Sequence, residues 1–487
     1  MTNSINLLKP AYQHIANILD GKYDSEALTS QTIKNLHLQE SKLNAYITIL
    51  DDYAHQRAEI VQKQFQQKTK LLLGGIPIAV KDMLALKNFP TTAGSKILEN
   101  FIPTFNSTVV EKLENAGAII IGKTSCDEFA MGSSNEFSFK GPVHNPWDLD
   151  SVPGGSSGGS AATVAARGVS LSIGTDTGGS IRQPAAFNGI FGLKPTYGRV
   201  SRFGVVAFAS SLEQVGPMAH NVHDLALLLR VIAGHDEQDS TTLNIEVPEY
   251  DKFLDQGIEG LKIAIPKNIY KGMNADMKKN MQTSLEIFKR NGAIVDEDID
   301  FPSWESALPA YYLIATSEAS TNLARYDGFR YGYNASEYKE LWKQLENTRG
   351  IGFGQEVKRR ILLGTYALSA GYHDQYYKKA LRLRTLIKSD FDNAFKKYDV
   401  IVTPTTPSSA FKIGERVSKP LEMYMSDYYT LPANIAGNPA ISVPCGFINN
   451  LPVGLQIIGR NLEEQRLLQI AALHESESSW SREVPNL

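Results

Sequence analysis

Between Val152 and Ile181 the chain reads VPGGSSGGSAATVAARGVSLSIGTDTGGSI, two glycine-serine clusters separated by a small-residue helical pattern and a short alternating strand. The first cluster, residues 154–160, has the composition of a flexible linker. Its flanks argue against that reading. Residues 161–166 favour helix, and Val169, Leu171 and Ile173 alternate with Ser170, Ser172 and Gly174 as a half-buried strand would. The second cluster, Asp176-Thr177-Gly178-Gly179-Ser180, ends that strand with two glycines. They allow a sharp turn and leave amide N–H groups free to converge on one spot. A turn of this kind either cradles a phosphate or presents a hydroxyl nucleophile beside its own oxyanion hole. Spacing alone leaves both open.

A serine nucleophile needs a base, usually a histidine. The nine histidines are scattered and none sits in a motif. His144, His220 and His223 lie nearest in sequence and read as loop or helix-surface residues. A lysine can serve instead when burial lowers its pKa enough to leave it neutral. The stretch GGIPIAVKD at 74–82 places Lys81 at the end of an alternating strand, from which its side chain can enter a cleft; a solvated surface lysine is the bland reading.

Taken together, GGIPIAVKD, PGGSSGGSAA, GTDTGGSIRQPAAFNGIFGLKPTYGRVS and the following SLEQVGPMA resemble the amidase signature family, in that family's order and over most of the chain. The resemblance implies a Ser-Ser-Lys triad: Ser180 as acylated nucleophile, Ser156 as bridging serine after a cis peptide bond, and Lys81 as terminal base. It also implies that backbone N–H groups of Thr177, Gly178 and Gly179 form the oxyanion hole. Asp176 and Arg182 read equally well as a buried supporting pair or as structural residues, and neither is counted as catalytic.

Three further segments carry a resemblance to one branch of that family, the glutaminase subunits of tRNA-dependent amidotransferases. They are DEFAMGSSNE at 127–136, FGQEVKRRILLGTYALSAGY at 353–372, and the run from Leu421 to Arg460. The amide implied is glutamine, whose α-carboxylate and α-ammonium a pocket must neutralise to tell it from neutral amides. By this resemblance Arg360 clamps the carboxylate, Asp427 takes the ammonium, and Tyr311 adds a neighbouring hydroxyl. Without it, Lys358-Arg359-Arg360 reads as a solvated helix face, Asp427 as a turn residue and Tyr311 as an apolar-face aromatic. The branch further implies a heterotrimer with an activating B subunit, which uses ATP and Mg on Glu-tRNA(Gln), or on Asp-tRNA(Asn), and a small C subunit. No cofactor or metal is then expected in this chain. Two other readings stand beside it: a stand-alone amidase of aryl or aliphatic amides, and a non-catalytic scaffold.

Global properties fit a cytoplasmic enzyme. With 487 residues, 42% of them hydrophobic and 21% charged, the chain can bury a large core. The net charge of −3 offers no basic field for capturing nucleic acid, so tRNA contact is expected mainly through the partner. Cys126 and Cys445 are too few for a disulfide framework and read as packed thiols. No basic flank precedes an apolar run at the start, and no run of about 18 apolar residues occurs, so neither a secretory signal nor a membrane span is expected.

The expected fold is α/β: a large mixed central sheet covered by helices on both faces, forming one amidase domain over 1–487. An N-terminal helical segment would cover about 1–70 and the Gly/Ser-rich core about 71–220. Leu7, Leu8, Tyr12, Ile15, Ile18 and Leu19 are at helical spacing, and a second helical pattern runs from about 32 to 68. Strands are expected at 76–80, 118–121, 169–173, 263–265, 400–403 and 455–458, with amphipathic helices at 222–233 and 277–290. The polar run 235–242 reads as a surface loop.

Overall fold

A computed structural model describes residues 5–271, 273–337 and 339–487. Residues 1–4 of the expected N-terminal segment lie outside the described residues. Among the described residues, eleven strands form one sheet. In chain order they are β1 (Tyr46–Ile49), β2 (Pro77–Lys81), β3 (Ile119–Thr124), β4 (Leu171–Asp176), β5 (Phe191–Lys194), β6 (Gln214–Ala219), β7 (Lys262–Pro266), β8 (Ile294–Ile299), β9 (Val400–Pro404), β10 (Ala440–Ile448) and β11 (Leu451–Gly459). Their spatial order is β1-β3-β2-β4-β6-β5-β10-β11-β9-β7-β8. The sheet is mixed: β2 runs parallel to both β3 and β4, and β7 parallel to β8 and β9, while the central hairpin β10–β11 and its neighbours are antiparallel.

Alternation along the buried strands explains why both faces are covered. Ile78, Val80, Ile120, Leu171 and Ile173 join one apolar cluster with residues of the helices Thr108–Asn115 and Val222–Ile232. Ala79, Ile119, Ile121 and Met218 point the other way, into a cluster with the helices Ser25–Leu43, Asp51–Gln66 and Gly158–Ala165. The period of two thus feeds two cores from one sheet. The mixed sheet with helices on both faces is as expected from the sequence.

The N-terminal region departs from expectation. The helical pattern read from 32 to 68 is two helices interrupted by β1. The first helix ends at Asn44, in the left-handed region at φ 49°, and the β-favouring run Tyr46-Ile47-Thr48-Ile49 then pairs antiparallel with β3 before Asp51 and Asp52 open the next helix. Leu7 and Leu8 lie ahead of the first helix, Ala11–Leu19, because Pro10 sits at its N-cap. Strands β1, β5, β6, β8 and β10 were not expected. The run 235–242 is irregular as expected, but its aspartates are engaged: Asp236 accepts from Ser201 and Thr108 at 2.5 Å, and Asp239 pairs with Arg202. No helix among the described residues is long and apolar enough to cross a membrane.

Pro10 supplies no side-chain cap to the first helix. The cap comes from elsewhere: buried Asp224, in the helix Val222–Ile232, accepts from the N–H groups of Ala11 at 2.6 Å and Tyr12 at 3.0 Å. A carboxylate at a helix N-terminus satisfies free donors and complements the helix dipole. Asp224→Ala is therefore expected to lower stability by about 1–2 kcal/mol in denaturant melts and to speed amide exchange selectively over residues 11–19.

Candidate active site

β2 delivers Lys81 to the interior with no exposed surface. Its Nζ lies 2.7 Å from Ser156 Oγ, 3.0 Å from Ser157 Oγ and 2.8 Å from Thr175 Oγ1. No carboxylate of the described residues is within ion-pair distance of it. Burial drives the Lys81 pKa down to about 8, against the pull of more distant acids. The neighbouring hydroxyls assign the hydrogens. Ser157 Oγ donates to the Thr175 carbonyl at 3.1 Å and accepts the Thr175 N–H at 3.2 Å, so towards Lys81 it acts as acceptor. A neutral amine has two N–H groups and one lone pair. With the N–H groups directed to Ser157 and Thr175, the lone pair is left facing the Ser156 hydroxyl.

Ser156 follows a glycine at which no side chain fits. The Gly155–Ser156 peptide is cis, and a Cβ on Gly155 would lie 2.1 Å from Asp127 Oδ2. Buried Asp127 accepts from the N–H groups of Asn135 and Phe137, its own N–H donates to the Ser156 carbonyl at 3.3 Å, and Gln183 Oε1 receives the Gly155 N–H at 2.9 Å. The wholly buried helix Gly158–Ala165 then carries the chain away from the site.

Ser180 ends the second glycine turn, 8% exposed, and its carbonyl accepts the Ser157 N–H at 3.2 Å. Its hydroxyl has no hydrogen-bond partner among the described residues. At Gly179 φ is 134°, and a Cβ there would meet Thr430 Oγ1 at 2.3 Å, so side chains are excluded on both grounds. Asp176 shapes the turn by accepting the N–H groups of Gly179 at 2.8 Å and Ile181 at 3.2 Å. The Gly179 N–H is thereby committed, whereas those of Thr177 and Gly178 are not engaged by any side chain or loop carbonyl of the described residues.

Asp176 is itself clamped by Arg182, with Nε and Nη2 each 3.0 Å from its oxygens, and by Asn434 Nδ2 at 2.8 Å. All three are buried. Burial alone would raise the Asp176 carboxyl; Arg182 outweighs it and holds the pKa down to about 2. Arg182 also reaches the Thr430 carbonyl at 3.1 Å and the side-chain oxygens of Asn434 and Gln456, tying the turn to β11 and to the helix Leu431–Ala436.

The C-terminal half closes over the same turn. Buried Tyr311, in the helix Ala307–Asn322, packs so closely on Gly178 that a Cβ there would meet its ring at 2.7 Å. Asp427, 7% exposed, accepts from Ser133 Oγ at 2.6 Å; burial pushes its pKa up to about 7, countered by Ser133 and Arg360. Thr430, three residues on, donates its hydroxyl to the Gly178 carbonyl at 2.6 Å. Arg360, in the helix Gln355–Leu368, is 3% exposed and so is not on a solvated face. Burial disfavours its charge, but Glu356 at 2.8 Å and three tyrosines outweigh this and hold it protonated.

The family model described as Amidase matches residues 27–468. The chain belongs to the amidase family. This amidase is 53% identical, over 458 residues covering 94% of each chain, to the A subunit of glutamyl-tRNA(Gln) amidotransferase from Carboxydothermus hydrogenoformans. It is 49% identical to the protein of the same name from Sulfurihydrogenibium sp., over 99% of this chain and all of the other. Among solved structures, the corresponding protein of Thermotoga maritima superposes with a TM-score of 0.78 at 41% identity, covering 93% of this chain and 92% of that one.

Of the residues expected at the site, Lys81 and Ser156 are in contact and Tyr311 packs on the turn that bears Ser180, whereas Ser156 and Ser180 are not hydrogen-bonded to each other; no histidine bonds either serine among the described residues. Cys126 and Cys445 are free, buried thiols. Sequence reasoning missed Ser157, Thr175, Asp127, Ser133, Thr430 and Glu356. The Ser157–Thr175 pairing joins a loop to a strand end and leaves no spacing signal; Ser133 lay inside a segment already singled out, DEFAMGSSNE. Removing one member of a buried ion pair leaves the other charge uncompensated. Arg182→Met is accordingly expected to destabilise the protein by about 3–5 kcal/mol in denaturant melts, against a much smaller loss for Arg202→Met at the partly exposed Asp239 pair.

Proposed function

We propose that this amidase is the glutaminase component of a tRNA-dependent amidotransferase, acting in the cytoplasm. The observation carrying the reading is the Lys81 amine, buried without a carboxylate partner and 2.7 Å from Ser156, at the foot of the glycine turn that bears Ser180. The chemistry proceeds in balanced steps. Ser180 Oγ attacks the side-chain amide carbon of glutamine, its proton passing to Ser156 Oγ as the Ser156 proton passes to neutral Lys81. The free N–H groups of Thr177 and Gly178 hold the developing oxyanion, with Gly179 shaping the turn through Asp176. The C–N bond breaks, ammonia leaves with the returned proton, and water hydrolyses the acyl-Ser180 ester by the same relay. Arg360 binds the α-carboxylate, Asp427 the α-ammonium, and Tyr311 borders the turn.

The ammonia is used by a partner, the B subunit, which activates Glu-tRNA(Gln), or Asp-tRNA(Asn) in the same way, with ATP and Mg; a small C subunit completes the heterotrimer. What supports this assignment is the shared name of relatives about half identical over nearly the whole chain. Hydrolysis by this relay requires no cofactor in the chain.

The test is ammonia release from glutamine and from a neutral aromatic amide by the complex purified through a tag on this chain. Release from glutamine that rises with ATP and Glu-tRNA(Gln) is expected; release from the neutral amide by the chain alone would make it a general amidase instead. Ser180→Ala should abolish release with the fold intact by circular dichroism. Lys81→Ala should reduce it by at least about 10²- to 10⁴-fold, because the relay acts as a unit. Since only the neutral amine accepts a proton, kcat is expected to fall as pH drops through about 8, the value to which burial brings Lys81. A profile flat from pH 6 to 9 would move the base elsewhere.

A further inference from the structure

The Arg360 guanidinium is anchored on one side only. It lies among the rings of Phe208, Tyr312 and Tyr424, 5.4 to 5.7 Å from their centroids. Of its five N–H groups, the one on Nε donates to Glu356 Oε1, one helical turn earlier, at 2.8 Å. The terminal nitrogens make no hydrogen bond to the described residues. Glu356 is itself buried, 4% exposed, and its other oxygen receives Arg359. On Oε1 it also accepts the Tyr424 hydroxyl at 2.9 Å, and the Tyr424 ring stacks on Tyr312 at 4.0 Å. Tyr424 belongs to the helix Pro420–Met425, directly ahead of Asp427. One carboxylate oxygen therefore joins the residue proposed for the substrate carboxylate to the segment carrying the residue proposed for its ammonium.

A carboxylate ligand is recognised best by two parallel N–H···O bonds, which require a guanidinium held in a fixed plane. An arginine has several rotatable bonds, and each left free costs orientation on binding. Glu356 takes the Nε position and leaves the Nη1–Nη2 edge open, so it fixes the plane without occupying the bidentate face. We infer that Glu356 is the positioning residue that gives this site its selectivity for amides bearing an α-carboxylate, by locking the guanidinium of Arg360 and, through Tyr424, the approach to Asp427. The inference rests on the glutamine reading of the site. It goes beyond that reading in assigning selectivity to a residue that touches no substrate atom.

The test separates selectivity from chemistry and from folding. In the complex, Glu356→Ala is expected to raise KM for glutamine roughly ten- to a hundredfold, the range for losing a hydrogen bond to a charged group, with kcat within about threefold. Glu356→Gln, whose amide oxygen still accepts the Nε–H, should restore KM to within about threefold. Tyr424→Phe, which removes only the hydroxyl, should fall between them and guards against misfolding of the alanine variant. A second arm reads binding without turnover: in a Ser180→Ala background, calorimetric titration with L-glutamine and with L-glutaminamide, which lacks the carboxylate, should show a preference that collapses in Glu356→Ala. Unchanged KM in a folded Glu356→Ala protein overturns the inference, as does equal loss of kcat that Glu356→Gln fails to restore. If the wild type releases no ammonia from glutamine, the proposed function fails; the binding arm still decides on Glu356, and the absence of any carboxylate preference there overturns it.

Discussion

An amine buried at zero exposure with hydroxyls for partners is the constraint on which the rest of this structure turns. Its cost is visible by comparison with Lys123 on the adjacent strand β3, equally buried but paired with Asp82 at 2.9 Å. There the charge is compensated and the residue is structural. At Lys81 the compensation is withheld, so that burial works on protonation instead of being offset. Keeping two lysines so close in one sheet and so different in character requires that carboxylates be placed with care. Asp82 is turned to Lys123 and to Thr92, Asp127 is occupied with the N–H groups of Asn135 and Phe137, and Asp176 is claimed by Arg182.

Those commitments also build the frame. β2 and β4 are parallel neighbours, which brings Lys81 and Thr175 to the same edge of the sheet, and the helix Gly158–Ala165 lies against them with Ser156 and Ser157 at its start. Small residues along that helix allow the close approach that the hydroxyl contacts demand. The Asp176–Arg182 pair extends the frame by hooking onto Asn434 and Gln456, residues of the distant C-terminal part of the chain. The glycine turn, the Lys81 cluster and the C-terminal part of the chain are thus tied together by buried polar contacts.

The parts legible in the sequence were those with a local signature. Alternating apolar residues announced β2, β4, β9 and β11, and the two glycine-serine clusters announced the turns beside Ser156 and Ser180. What stayed hidden depends on partners far along the chain. Phe191–Lys194 is four residues long and carries little alternation, and it becomes a strand because β6 and β10 flank it. The interruption at β1 was masked by strong helix formers on either side. Lys358-Arg359-Arg360 reads as a charged surface run because nothing local reveals that Arg360 is walled in by Phe208, Tyr312 and Tyr424. For Arg360, Asp427 and Tyr311 it was family resemblance, not periodicity, that pointed to the site.

The cap that Asp224 places on the first helix has a consequence for the order in which the molecule comes into being. Ala11 and Asp224 are 213 residues apart, so at roughly 5–20 residues per second the helix leaves the ribosome about 10–40 s before its cap exists. Arg182 waits in the same way for Asn434 and Gln456. During synthesis the early part of the chain therefore lacks these polar closures, which arrive in two stages: the N-terminal cap with residue 224, and the partners of Arg182 with residues 434 and 456. A nascent chain stalled before residue 224 should carry its N-terminal helix as a loose, chaperone-accessible segment, although the sequence of that helix is already complete.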